Sequence, residues 1–261
     1  MYGAVFGDIM GSWYEWNNCK SEDVDLFRRE SHFTDDSVLT CAVADSILNM
    51  GDFSPRKCYA TYIKAYYRRY PDAGFGQMFR DWAESDTLSV QRSYGNGAAM
   101  RVSAIGWAFD SEKEILKQVS ESCYYTHHHS EAVNCARAVA IAVFLARKGT
   151  DKDAIRRKLE KDFKLRFTTI EELREKYVFD SRSGYSVPPA IEAFLETDSY
   201  ESCIRKAISL GGDSDTIAAI AGGIAEAYYH EIPKEIRDRC RAKLDSGLKR
   251  VLDEFEQKYG R

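Results

Sequence analysis

The chain has 261 residues, and its 41 acidic and 37 basic residues give a net charge of −4 at pH 7. This mild acidity argues against a general nucleic-acid or anionic-membrane binder. A hydrophobic content of 44% and a charged content of 30% are ordinary globular values, which exclude a disordered or collagen-like chain. No apolar run approaches the roughly 20 residues that a membrane-spanning helix needs.

The cysteines and the first residues bear on the compartment. Seven cysteines are scattered along the chain without a CxxC pair, which is typical of reduced thiols. The opening segment MYGAVFGDIMGS lacks the basic start of a secretory signal. We therefore expect a cytoplasmic protein that does not bind membranes and acts as a monomer.

Apolar residues recur at spacings of three and four along most of the chain, which predicts an all-α protein. The first helix carries Asp8 and Glu15. The later helices are predicted, in chain order, at 37–49, 54–69, 97–108, 112–123, 130–146, 151–163, 188–196, 199–209, 215–230 and 233–258. Helices 130–146 and 215–230 are apolar on nearly every face, so we expect them at the centre of a bundle. Because no linker or repeat is visible, we expect one domain over residues 1–261.

Two short segments concentrate acids and hydroxyls directly before apolar helices: residues 34–37 (TDDS) and residues 213–216 (DSDT). Capping of a helix N-terminus is the simplest interpretation of either segment alone. A cap needs only one oxygen, however, and neither segment contains a Lys or Arg. If the two segments meet, their four carboxylates repel one another unless a cation lies between them.

The available ligands are carboxylate and hydroxyl oxygens, which favour magnesium or manganese and argue against zinc. Four acids with hydroxyls and waters are sufficient for two adjacent ions. Asp8, Gly11 and Glu15 share one face of the first helix, with the two acids about two turns apart. We expect Gly11 to leave room between these acids for an approaching group.

Three further segments are candidates for substrate contact. Residues 94–101 (YGNGAAMR) form a glycine-rich turn before a predicted helix, where free backbone N–H groups and Arg101 could bind phosphate. A plain Asn-Gly turn is equally consistent with this pattern. Residues 74–76 (GFG) place an aromatic ring that either stacks on a base or ribose or anchors the loop. Of the three consecutive histidines that begin at His127, the first is the best candidate for contacting an anion.

Taken together, these segments resemble the ADP-ribosylglycohydrolase family. They follow the order of that family's motifs from residue 3 to residue 229. The matching segments are GDxxGxxxE at 7–15, FTDDS at 33–37, GNGAAMR at 95–101, Thr126-His127 and LGGDSDT at 210–216.

The resemblance implies a compact orthogonal bundle of helices with two Mg²⁺ or Mn²⁺ ions, and the hydrolysis of an ADP-ribosyl bond. The positions it assigns to metal binding are Thr34, Asp35, Asp36, Asp213, Asp215 and Thr216. Glu15 matches the acidic residue that acts in catalysis, and Asp36 is the alternative carboxylate for proton transfer. The positions it assigns to substrate binding are Phe75, Gly76, Gly95, Asn96, Gly97, Ala98, Arg101 and His127.

The leading functional hypothesis is a hydrolase whose partner is an ADP-ribosylated protein, linked through arginine or serine, or a small ADP-ribose derivative. Two alternatives belong to other classes. One is a non-catalytic module that binds ADP-ribose or another nucleotide, and the other is a crystallin-like structural relative. The presence of Glu15 and of all four aspartates argues against a degenerate relative.

Overall fold

The computed structural model describes residues 1–260 and is all-helical, as predicted. The first seven helices are α1 (Tyr2–Trp16), α2 (Asp35–Leu48), α3 (Pro55–Arg69), α4 (Gln77–Glu84), α5 (Ser103–Ala108), α6 (Glu112–Cys123) and α7 (Ser130–Arg147). The next seven are α8 (Lys152–Phe163), α9 (Ile170–Arg174), α10 (Ser183–Leu195), α11 (Tyr200–Ile208), α12 (Ser214–Tyr229), α13 (Lys234–Ala242) and α14 (Ser246–Tyr259). Within residues 1–260 the β-type pairing is limited to two isolated bridges.

Helix α12 lies at the centre of the bundle. All of its residues from Ser214 to Ala227 are buried, and it packs against α1, α7, α10 and α11. Helix α7 is the second central helix and packs against α5, α6, α10 and α12. Both positions follow from the small apolar residues on nearly every face of these helices, as the sequence indicates.

Helix α1 is a third central helix that the sequence analysis did not place there. Gly3, Gly7 and Gly11 repeat at a spacing of four and face α12 along its length. A Cβ atom at Gly7 would lie 2.1 Å from the carbonyl oxygen of Ala218, and one at Gly11 would lie 2.5 Å from that of Ser214. The room beside Gly11 is therefore taken by the α12 backbone, so the expectation that a ligand approaches there was wrong.

The predicted helix at 97–108 is split in the structure. A single 3₁₀ turn, Asn96–Ala98, is followed by irregular backbone, and α5 begins only at Ser103. The hydroxyl of Thr40 donates a hydrogen bond to the carbonyl oxygen of Met100 at 3.3 Å. That carbonyl thus has its partner on another helix, a tertiary contact that local periodicity does not reveal.

Two other predicted helices have different boundaries in the structure, for local reasons. The predicted helix at 233–258 is two helices, because the Asp245 side chain accepts a hydrogen bond from the Leu248 N–H at 2.9 Å and so starts a new one. The helix predicted to begin at Pro188 begins earlier, at Ser183, so its prolines lie inside it. Short helices α4 and α9 were not predicted.

The seven cysteines are free thiols. No helix in the described part of the chain is both long and apolar enough to cross a bilayer.

Candidate active site

The two acidic segments meet at the N-terminal ends of α2 and α12. The Thr216 hydroxyl donates a hydrogen bond to Asp36 Oδ2 at 3.1 Å, which joins residues 180 positions apart. Glu15, near the end of α1, completes the cluster. One carboxylate oxygen from each of Glu15, Asp213 and Asp215 lies within 4.8 Å of the other two. The fold thus gathers acids from the front and the back of the chain at one place.

Asp8 fixes the first acidic segment in place. Its fully buried carboxylate accepts hydrogen bonds from the Thr34 N–H at 2.9 Å, the Thr34 hydroxyl at 2.7 Å and the Ser37 N–H at 3.0 Å, and also from the Ser37 hydroxyl. The Thr34 oxygen in turn accepts from the Asp36 N–H at 3.3 Å. Helix capping and acid clustering are therefore both present, and Asp8 links α1 to the start of α2.

The loop before α12 depends on two glycines. Gly211 and Gly212 have φ values of +67° and +70°, in the left-handed region that favours glycine. The Gly212 N–H donates to Asn18 Oδ1 at 2.5 Å, and Lys20 donates to the carbonyl oxygen of Leu210 at 2.5 Å. Residues just after α1 therefore hold the second acidic segment beside Glu15.

Asn96 positions an acid, a role that the sequence analysis did not anticipate. Its side-chain amide donates to Asp213 Oδ2 at 2.7 Å and to Ser186 Oγ at 3.0 Å. Its backbone N–H donates to the carbonyl oxygen of Ser181 at 2.7 Å. The glycine-rich turn is therefore tied directly to the acidic cluster through Asn96.

Burial and mutual repulsion raise the pKa values of these carboxyls. Burial raises the pKa of Asp35 to about 8, with further contributions from Asp8 and Asp213. Burial, followed by the charges of Asp213 and Asp36, raises the pKa of Asp215 well above its usual value. The pKa of Glu15 is raised to about 7 by burial and then by Asp213. Near neutral pH, such a cluster favours either bound protons or a cation.

The acidic cluster opens into a cleft of about 570 Å³. Most residues that the sequence analysis selected line this cleft: Glu15, Thr34, Asp35, Asp36, Gly76, Gly95, Asn96, Gly97, His127, Asp213, Asp215 and Thr216. Residues that were not predicted to be part of the site also line it, among them Trp16, His32 and Phe179. Phe75, Ala98 and Arg101 do not reach the cleft wall.

Phe75 anchors its loop, the alternative that the sequence left open. Its side chain is 3% exposed, and its ring stacks on that of Phe79 with centroids 5.0 Å apart. It also meets the Tyr67 ring edge-on at 5.1 Å. Ala98 is fully buried. Neither side chain is accessible to a ligand.

Arg101 is fully buried rather than facing a phosphate site. Its Nη2 donates to the carbonyl oxygen of Ser122 at 3.1 Å and to the Thr126 hydroxyl at 2.8 Å. The Thr126 oxygen lies 2.9 Å from His127 Nδ1. Burial, followed by the positive charge of Arg101, lowers the pKa of His127 well below its usual value. Arg101 therefore contacts His127 through Thr126, and its positive charge favours the neutral form of the His127 ring.

The glycine-rich turn is also less open than the sequence suggested. The N–H of Gly95 donates to Ser93 Oγ at 3.1 Å, and that of Asn96 is bound to Ser181. These two groups are already occupied and are not free for a phosphate. A Cβ atom at Gly97 would lie 3.2 Å from His127 Nε2, so glycine lets the ring approach this turn.

Comparisons with known proteins agree with this architecture. The family model described as ADP-ribosylglycohydrolase matches residues 1–261. The mouse protein named ADP-ribosylhydrolase ARH3 is 28% identical over 97% of this chain and 90% of its own length. The Pseudomonas putida protein named ADP-ribosylarginine hydrolase Tri1 is 27% identical over 88% of this chain and 69% of its own length. A solved structure described as "ADP-ribosylglycohydrolase-related protein complex" superposes with a TM-score of 0.73 at 21% identity, covering 99% of this chain and 95% of that one. The chain belongs to the ADP-ribosylglycohydrolase family.

Proposed function

We propose that this cleft hydrolyses the glycosidic bond between ADP-ribose and an acceptor, with two Mg²⁺ or Mn²⁺ ions as cofactors. The acceptor is a protein side chain, linked through nitrogen or oxygen, or the leaving group of a small ADP-ribose derivative. The observation that carries the proposal is the hydrogen bond between Thr216 and Asp36, which unites the two acidic segments beside Glu15. The names of the ARH3 and Tri1 relatives support the same reaction class.

The residues present fit divalent cations of this type. The donors are carboxylate and hydroxyl oxygens, the ligand class that Mg²⁺ and Mn²⁺ prefer. Asp36 Oδ1 is buried and has no hydrogen-bond partner among residues 1–260, which leaves a carboxylate oxygen available to a ligand. The residues that would hold the ions are Thr34, Asp35, Asp36, Asp213, Asp215 and Thr216. Ions bound there would offset the carboxylate charge and hold vicinal ribose hydroxyls.

Glu15 is the better of the two candidates for proton transfer. It is partly exposed to the cleft, where water and the acceptor can reach it, and burial raises its pKa toward neutrality when no metal is bound. Asp36, in contrast, is buried and accepts the hydrogen bond of Thr216. We therefore assign metal binding to Asp36 and acid–base chemistry to Glu15.

The reaction that follows is a displacement at the anomeric carbon of the ribose. Glu15 takes a proton from water as the water oxygen bonds to that carbon. The bond to the acceptor breaks with its electron pair on the acceptor atom, which receives the proton. Positive charge develops on the ribose ring during this step, as in other glycoside hydrolysis. The neutral His127 ring and the turn containing Gly95 and Gly97 form the wall for the rest of the ADP-ribose.

A substrate panel tests this proposal. The purified protein is incubated with ADP-ribosyl-arginine, ADP-ribosyl-serine and O-acetyl-ADP-ribose, with Mg²⁺ or with EDTA, and released ADP-ribose is measured. We expect release from at least one substrate with Mg²⁺, and its loss in EDTA and in the Glu15→Gln variant. Binding of ADP-ribose without turnover of any substrate would instead support a non-catalytic module, and neither binding nor turnover would support a structural relative.

A further inference from the structure

Lys20 lies where three parts of the candidate site come together. It follows α1 closely, and its Nζ donates hydrogen bonds to the carbonyl oxygen of Leu210 at 2.5 Å and to that of Tyr177 at 2.7 Å. Leu210 belongs to the loop that leads into the second acidic segment, and Tyr177 precedes α10. One ammonium group therefore binds segments that lie 157 and 190 positions away along the chain.

The segment around Tyr177 is a wall of the cleft. Residues 177–181 form this wall, and Phe179 and Ser181 line the cleft itself. The Tyr177 side chain is only 4% exposed and packs against the loop before α12, where a Cβ atom at Gly212 would lie 2.9 Å from Tyr177 Cε1. The wall is therefore in direct contact with the loop that carries the second acidic segment.

Asn18 connects the same junction to Glu15. Its Nδ2 donates to the carbonyl oxygen of Glu15 at 3.3 Å, and its Oδ1 accepts from the Gly212 N–H at 2.5 Å. A Cβ atom at Gly211 would lie 3.3 Å from Lys20 Nζ, so the ammonium closely approaches this loop. A displacement of Lys20 would therefore move the loop relative to the end of α1, where Glu15 lies.

The charge of Lys20 is used on backbone groups. Its two acceptors are carbonyl oxygens rather than carboxylates, and burial lowers the pKa of the ammonium. Hydrogen bonds from a charged donor are stronger than those between neutral groups. A neutral side chain at this position would leave both carbonyl oxygens without this donor, so the contact between the three segments would weaken.

We propose that Lys20 is a positioning residue for the proposed hydrolysis, holding Glu15, the second acidic segment and the cleft wall in one arrangement. The inference rests on the proposed function and assigns Lys20 no contact with the substrate. Residues that orient metal ligands commonly change metal affinity or activity by about 10- to 100-fold when they are mutated. A misplacement of reacting groups by about 1 Å has a similar effect on rate.

The test compares Lys20→Met with Lys152→Met. Lys152 is a matched control, because its Nζ also donates to backbone carbonyl oxygens, those of Phe194 at 2.8 Å and of Thr197, and it lies outside the cleft. The Kd of Mn²⁺ is measured by electron paramagnetic resonance. The kcat and KM for an ADP-ribosyl substrate are measured at saturating Mn²⁺, and the melting temperature in EDTA reports stability.

We expect both variants to have a lower melting temperature, but only Lys20→Met to alter the site. Its Kd for Mn²⁺ should rise about 10-fold, and its kcat should fall by about 10- to 100-fold. Its KM should change by less than about threefold, because the turn at Gly95 and the His127 ring keep their own supports. Lys152→Met should change the Kd and kcat by less than about twofold.

A second substitution, Lys20→Gln, keeps a polar group but removes the charge, and we expect a smaller loss in the same direction. Values of Kd and kcat within about twofold of the unaltered protein, in whichever Lys20 variants fold, would overturn the positioning role. Equal losses in Lys152→Met would also overturn it, since they would show a general effect of lower stability. If the unaltered protein cleaves no ADP-ribosyl substrate, the proposed function fails, and the Kd values for Mn²⁺ still decide whether Lys20 positions the acidic cluster.

Discussion

Asp215 is a residue whose carboxylate is expected to lower the stability of the metal-free protein and to bind a cation. It is buried beside Asp213 and Asp36, and burial and these neighbours raise its pKa. A carboxylate in such surroundings is costly unless it is protonated or paired with a cation. The same group is therefore costly in the metal-free protein, and in the proposed function it would be a ligand in the metal-bound one.

Asp215→Asn should separate these two effects. Because it removes charge at nearly constant size, we expect the melting temperature in EDTA to stay equal or rise. The stabilisation by Mg²⁺, about 2.7 kcal/mol at roughly 100 times Kd, should be lost. Thermal unfolding with and without Mg²⁺ measures both, and Asp52→Asn, at an exposed position away from the cleft, is the control. A full Mg²⁺ response in Asp215→Asn would show that this carboxylate is not a ligand.

Arg101 and Thr126 should determine the tautomer of His127. Arginine only donates, so the Thr126 oxygen accepts from Arg101. Among the described residues His127 Nδ1 is the other hydrogen-bond partner of this hydroxyl, so we expect the Thr126 proton to be donated to Nδ1. The ring N–H is then on Nε2, toward Gly97. We expect ¹⁵N NMR to find this neutral tautomer at pH 7, since the pKa of His127 is lowered by burial.

In Thr126→Val we expect a mixture of tautomers and a KM for the ADP-ribosylated substrate that is about fivefold higher at similar kcat, as for the loss of one hydrogen bond. Thr61→Val, on the exposed face of α3, is the matched control. A proton on Nδ1 in the unaltered protein would contradict this arrangement.

At the scale of elements, the contact between α1 and α12 places Glu15 against the second acidic segment. Periodicity predicts these helices well, because their apolar residues repeat at helical spacing. The central position of α1 was not predictable in the same way. Gly3, Gly7 and Gly11 acquire their meaning only from the α12 backbone that they approach. Asn96 is a similar case, because its partner Asp213 is 117 positions away.

Gly7→Ala tests this contact. Its new methyl group would lie 2.1 Å from a carbonyl oxygen of α12, so the helices must separate. We expect a loss of about 1–3 kcal/mol in the free energy of unfolding, together with weaker Mg²⁺ binding. Gly76→Ala is the control for stability, because in the described part of the chain no heavy atom beyond the adjoining residues lies within 4 Å of its Cβ position. Equal stabilities of the two variants in denaturant titrations would show that the close approach is not needed.

At the scale of the whole molecule, the fold joins segments that lie far apart in sequence. The carboxylate and hydroxyl side chains of residues 34–37 and 213–216 indicated binding of divalent cations. The family resemblance indicated that the two segments belong to one site. Local patterns alone did not establish that the segments meet, because that contact depends on how α1, α2 and α12 pack. They also could not show that the helix expected after Gly95 is broken and that Arg101 turns into the interior.

The clustered acids should make the stability of the metal-free protein fall with rising pH. The pKa values of Glu15 and Asp35 are about 7 and about 8 in the folded protein, against about 4 in an unfolded chain. Between these values the folded state binds more protons, so raising the pH favours unfolding. In EDTA we expect the melting temperature to drop by several degrees between about pH 5 and pH 8.5, and Mg²⁺ to reduce that drop. A melting temperature that rises over this pH range would contradict repulsion between the clustered carboxylates.

The central claim is that acids from both ends of the chain hold divalent cations at one site. Anomalous diffraction from a crystal equilibrated with Mn²⁺ tests it most directly. We expect metal peaks within about 2.1 Å of carboxylate oxygens of both Asp36 and Asp215. A map with Mn²⁺ bound elsewhere, or with no peak between these two side chains at saturating Mn²⁺, would contradict the account.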